Sequence, residues 1–177
     1  MTQPSLFSND PKPEAVFSET GSHRYLLRWP SGAPGFRVLV CCAANPSKAG
    51  QPDGRGGMRS DPTVSRMRNL ARELGYAWLW MVNARAYVAT DPRDVPPDPD
   101  AVGDLNDHWL TYAFEHADLV VLAYGHLAGT RAPRVLELVH AAGKVPHALA
   151  LTKDGVPRHP RGIPSSARPF PMEAIDV

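Results

Sequence analysis

The chain is short of cysteine, of long apolar runs and of net charge. Its 2 cysteines are adjacent, Cys41 and Cys42. Neighbours on a strand point to opposite faces, so these two do not form a structural disulfide with each other. Two thiols alone also cannot complete a zinc or iron–sulfur site, so no metal and no other cofactor is expected. Low cysteine usage fits a reducing, cytoplasmic setting. No stretch approaches the ~20 apolar residues of a membrane span, and a membrane partner is not expected. Residues 1–20 are polar and contain proline, without the apolar centre of a secretory signal. Net charge is +1, which leaves no global basic field, so a nucleic-acid ligand would need a local basic patch.

Several common site motifs are also missing. There is no Gly-x-Gly-x-x-Gly, no Walker loop, no Gly-x-Ser-x-Gly elbow and no His-Glu-x-x-His pair. Gly54-Arg55-Gly56-Gly57 lacks the strand–loop–helix setting that a phosphate loop requires. Dinucleotide-binding, nucleotide-triphosphatase and α/β-hydrolase readings lose their usual support.

What is present reads as one α/β domain. With 177 residues, 43% hydrophobic and 21% charged, the chain is long and apolar enough for a single sizeable core. Residues 1–20 have the composition of a mobile arm, leaving 21–177 as the domain. Tyr25-Leu26-Leu27-Arg28-Trp29 is a strand, an added N-terminal edge. Arg37–Ala43 is apolar without a break from Val38 onward, the mark of a strand buried on both faces within a parallel sheet. Asp61-Pro62 caps and opens a helix whose apolar face is Val64, Met67, Leu70, Ala71 and Leu74, ending at Gly75. Further buried strands fall at Ala77–Val82, Asp118–Tyr124 and Val145–Leu151, with helices at Val102–His116 and Arg131–Ala142. The 19 prolines, many in Asp-Pro and Pro-Pro pairs, place long ordered loops between these elements. The alternation predicts a three-layer α/β/α fold on a central, mainly parallel sheet of four strands.

In such sheets ligands bind beyond the carboxyl ends of the strands. Four loops, starting at Ala44, Asn83, Gly125 and Thr152, should meet there. The first offers Asn45, Ser47 and Lys48. Asn45 before Pro46 fits a turn, or an amide that orients a water or reads a base edge. Asn83 ends an apolar strand, where its amide either pins a loop or reads a ligand. Tyr124-Gly125 punctuates the third strand, and Tyr87 is a loop anchor or a stacking platform. His159 can serve as acid, base or donor near neutral pH, or is an exposed histidine. Lys48, Arg55, Arg59, Lys153, Arg158 and Arg161 lie in the first and fourth loops, as a phosphate-binding rim or as solvated surface.

The ordered set Asn45-Pro46-Ser47, Asp61-Pro62-Thr63, Val82-Asn83-Ala84, Tyr87 with Thr90-Asp91-Pro92, and Leu151-Thr152-Lys153-Asp154-Gly155 with Pro157-Arg158-His159-Pro160 resembles a bacterial family, domain of unknown function 1643. The likeness runs over roughly residues 23–170 and implies no established activity. The same layout is similar, more distantly, to the uracil-DNA glycosylase superfamily, through Asn45-Pro46-Ser47, Asn83, Tyr124-Gly125 and His159-Pro160-Arg161. It departs from that pattern at Ser47, where the mismatch-specific branch often has Gly, and at Arg161, where Ser is usual.

This second resemblance implies a glycosylase-like enzyme hydrolysing an N-glycosidic bond in DNA or a nucleotide. Asn45 would position the attacking water, Asn83 would bind the edge of a flipped-out base, and His159 would stabilise the departing base. Ser47, Tyr87, Tyr124 and Gly125 would complete the base pocket, and the six cations would hold phosphate. The implied partner is nucleic acid or a nucleotide, and the expected state is a monomer. Two other readings share the fold: a non-catalytic nucleic-acid-binding module, and a small-molecule enzyme acting on free nucleosides.

Overall fold

The computed structural model of the chain describes residues 11–172. Its strands are β1 (Glu14–Phe17), β2 (Arg24–Pro30), β3 (Val38–Ala43), β4 (Trp78–Asn83), β5 (Leu119–Leu122), β6 (Pro146–Ala148) and β7 (Phe170–Pro171). The helices are α1 (Pro62–Glu73), α2 (Asn106–Glu115) and α3 (Ala132–Ala141). One sheet holds all seven strands in the order β1-β2-β4-β3-β5-β6-β7. β4, β3, β5 and β6 run parallel, while β1, β2 and β7 are antiparallel to their neighbours.

The four parallel strands fall where the apolar runs place them, but the sheet is larger and mixed. Tyr25–Trp29 belongs to β2, which is not an edge, because β1 pairs outside it. Residues 14–17, inside the segment whose composition suggests a mobile arm, form that outer strand, with Ala15 opposite Leu27. Residues 1–10 of the expected arm lie outside the described residues. β7 has only two residues, both exposed, and so carries no buried pattern to read. The fourth parallel strand stops at Ala148, and α2 begins at Asn106 rather than Val102, because Pro97–Leu105 forms turns.

Helices cover both faces. α2 and α3 pack Leu110, Phe114, Val135 and Val139 on one side, against Val40, Trp80, Val82 and Leu122. α1 packs Val64, Met67 and Leu70 on the other, against Leu39, Leu79, Met81 and Val121. Every residue of β3 is buried, as its unbroken apolar run requires. Cys41 and Cys42 fall on opposite faces, and burial pushes both thiols well above their ordinary range. They remain protonated, weakly nucleophilic core residues. No helix among the described residues is long and apolar enough to cross a membrane.

α1 starts as its sequence dictates. Asp61 is extended, its Oδ1 accepts the Val64 N–H at 2.8 Å, and Pro62 occupies the first turn. This cap fixes where the first loop ends and so sets one wall of the carboxyl edge.

Candidate functional site

The four loops converge on the carboxyl edge through specific bonds. Asn45 Nδ2 donates to the Ala89 carbonyl (3.0 Å), joining the first loop to the second. Arg85 Nη1 donates to the carbonyls of Leu127 and Ala128 (2.7 Å each), joining the second to the third. The Gly125 N–H donates to the Pro157 carbonyl (2.8 Å), joining the third to the fourth. Gly125 has φ +59°, a left-handed conformation that glycine adopts without strain. Arg66, on α1, donates to the carbonyls of Ile163 and Pro164, closing the ring between the helix and the segment after the fourth loop.

Asn45 is half-buried. Its Nδ2 is also directed at the Pro46 carbonyl (3.2 Å). With the nitrogen held by two carbonyls, the amide plane is fixed and Oδ1 is left as an acceptor. Asn45 lines a cavity of about 320 Å³ together with Arg85, Asp98, His126 and the apolar Val95, Pro96 and Leu127. Ser47 Oγ donates to Asp61 Oδ2 at 2.5 Å, so the helix cap is also tied to the loop it terminates.

His159 is half-buried at the end of the fourth loop. Its Nδ1 accepts the Arg161 N–H at 3.2 Å. The uncharged ring therefore carries its proton on Nε2. Burial, with the neighbouring Arg161 charge, holds His159 below the usual histidine range, while Asp61 pulls the other way. At neutral pH the residue is an uncharged donor near a carboxylate.

Asn83 has its amide oxygen engaged inside the protein. It is 1% exposed, and its Oδ1 accepts from Arg24 Nη2 at 3.0 Å. Arg24 is 2% exposed and also donates to the Ala49 carbonyl (2.8 Å). Burial pulls its guanidinium down to about 10, against the partial support of Asp61. Its Nε has no partner among the described residues. β2 runs antiparallel, so its first residue reaches the same edge as the last residue of β4.

Tyr124 is buried behind the edge at 2% exposure. Tyr87 stands on a different wall, edge-on to His23 at 5.5 Å between centroids. The six rim cations, Lys48, Arg55, Arg59, Lys153, Arg158 and Arg161, are all exposed. None of them enters an ion pair among the described residues. The same loops carry two carboxylates. Asp53 is held ionised by the N–H groups of Arg55 and Gly57, and Asp154 by the Thr152 hydroxyl.

Asp61 reads in the sequence as a helix cap and as part of the Asp61-Pro62-Thr63 motif, whereas Arg24 carries no mark. Nothing local marks Arg24, since its partners Ala49 and Asn83 are distant in the chain. Asn106 likewise carries no local mark. It is fully buried at the start of α2, and its Nδ2 donates to the carbonyls of Asn83 and Ala84 (3.1 Å each).

Among protein families, the one described as "Protein of unknown function (DUF1643)" matches residues 24–161. Comparison with curated proteins and with solved structures returned no match, so the glycosylase likeness rests on the motif order alone.

Proposed function

The chain belongs to the DUF1643 family, and from that premise we propose that it hydrolyses a base–sugar N-glycosidic bond at the carboxyl edge of its sheet. The observation that carries this reading is His159, an uncharged imidazole with Nδ1 engaged and Nε2–H free, beside a rim of unpaired cations. Breaking the bond leaves positive charge on the sugar and negative charge on the base. A donor preorganised at the leaving group stabilises that separation. Water adds to the anomeric carbon while the C–N electron pair goes to the base. The proton lost by the water neutralises the departing base. Asn45, with Nδ2 tied and Oδ1 open, would hold the water; the rim would hold phosphate. In this reading Asn83 supports the edge through Arg24 and does not touch the base.

The test is abasic-site formation on oligonucleotides carrying uracil, hypoxanthine, mismatched and modified bases, with free nucleosides as a parallel arm. His159→Ala should lower cleavage about 100-fold while leaving binding intact. Asn45→Ala should act in the same direction. Absence of cleavage on every substrate overturns the reading.

The unpaired rim favours a second reading, in which the edge holds nucleic acid without cutting it. That reading predicts binding whose log affinity falls linearly with log salt, and is lost if affinity is flat with salt.

A further inference from the structure

A separate cavity of about 660 Å³ opens between the β1–β2 turn and the loop leading to α2. Four aromatic side chains line it: Phe17, Tyr25, Tyr87 and Trp109. His23 braces two of them, stacked on Tyr25 (6.2 Å, 11°) and edge-on to Tyr87 (5.5 Å, 83°). Both nitrogens of His23 are engaged inside the protein, Nδ1 with Ser22 Oγ (2.9 Å) and Nε2 with the Asp100 carbonyl (2.7 Å). Gly103 lies flat against this ring. A Cβ there would stand 2.7 Å from His23 Cδ2, on a backbone with φ +81°. The wall is thus built and held before any ligand arrives.

Its charge is one-sided. Glu19, Asp100 and Asp104 line the cavity and are exposed, and no lysine or arginine lines it. None of the three carboxylates is in an ion pair among the described residues. A bare metal ion does not fit, because no three His, Cys, Asp or Glu groups among the described residues converge closely enough to hold one. An anion is repelled. What suits aromatic faces with uncompensated carboxylates at the rim is a cation that carries its own apolar surface.

We propose that this cavity binds a small organic ammonium ion. The ring faces attract the cation directly, and the carboxylates raise its local concentration. The site is independent of the glycosidic reading, since it shares neither Asn45 nor His159 with it.

The test is calorimetric titration of the intact chain with choline and with spermidine, against 3,3-dimethylbutan-1-ol, the uncharged isostere of choline. At least one cation should bind, and the isostere should bind at least about tenfold more weakly. Tyr87→Leu, which removes a ring face, should weaken binding about fivefold. Asp104→Asn, an exposed change that leaves the wall intact, should weaken it about two- to fivefold, more at low salt. No binding by either cation overturns the proposal. So does binding that the isostere matches, or that both variants leave unchanged.

Discussion

The carboxyl edge has two halves that use arginine in opposite ways. Around the loops after β4 and β5, guanidinium groups are spent on the protein. The Arg85 side chain is 15% exposed, and it meets Asp98 through Nε (2.7 Å) and Nη2 (2.9 Å) as well as two carbonyls of the third loop. The Arg131 side chain is 13% exposed, donates to the Ala84 carbonyl and pairs with Asp107, which also holds Arg134. Around the loops after β3 and β6, the six rim cations point to solvent without carboxylate partners. The first half is a scaffold clamped by charge, and the second leaves its cations exposed and without ion pairs among the described residues. Arg24 lies beneath both, buried and joined to the sheet by Asn83.

Breaking the scaffold at its deepest point should have the largest effect. Arg24→Ala leaves Asn83 Oδ1 and the Ala49 carbonyl without their buried donor. Unsatisfied buried acceptors cost on the order of 1–3 kcal/mol each, so urea unfolding should show a loss of about 3 kcal/mol. A loss under about 1 kcal/mol would mean that water replaces Arg24 and that the edge is not anchored there. Arg85→Ala should cost less, about 2 kcal/mol, because Arg85 is nearer the surface. Arg85→Lys should recover less than half of that, since a single ammonium cannot make the two-pronged bond to Asp98 while reaching both carbonyls. Full rescue by lysine would show that charge alone, and not the fork, joins the second and third loops.

A smaller effect comes from pH. His159 has a folded pKa below its unfolded value, so the folded state binds fewer protons in that window. Its contribution to stability is present above the unfolded value of ~6.5. It is lost as pH falls through that value toward the lower folded one. The wild-type chain should therefore lose stability relative to His159→Gln between neutral and mildly acidic pH. Equal slopes for the two proteins, measured by thermal melts across that range, would show that the ring is as protonated when folded as when unfolded.

How much of this arrangement can be read from the residues alone differs between its parts. The β3 run, the Asp61-Pro62 start of α1 and its stop near Gly75 are local signals, and local signals suffice to place a parallel core with loops at one edge. β1 and β7 carry no such signal. They become strands because β2 and β6 offer them edges, a tertiary fact that segments of four and two residues do not announce. The site divides the same way. The placing of Asn45 and His159 in carboxyl-edge loops follows from the strands that precede them. The commitment of Asn83 to Arg24 depends on pairing across 59 positions of sequence. Tyr87 lines the cavity beside the β1–β2 turn, because the loop that follows β4 folds back onto that turn.

The smallest stability effect should come from the rim, and it is the sharpest test of the two-halves contrast. Arg55, Arg59, Arg158 and Arg161 are exposed and make no ion pair among the described residues. Exposed substitutions away from structural features usually stay within about 0.5 kcal/mol, so each alanine variant should unfold like the parent. If these cations are kept for a phosphate backbone, the same variants should lose binding to an oligonucleotide. The slope of log affinity against log salt should then flatten by about 0.7–0.9 for every phosphate contact removed. Stability and affinity thus separate on this half of the edge, whereas Arg85→Ala should damage both together. Rim variants that destabilise the fold without changing the salt slope would place these side chains in the scaffold as well, and the distinction between the halves would disappear.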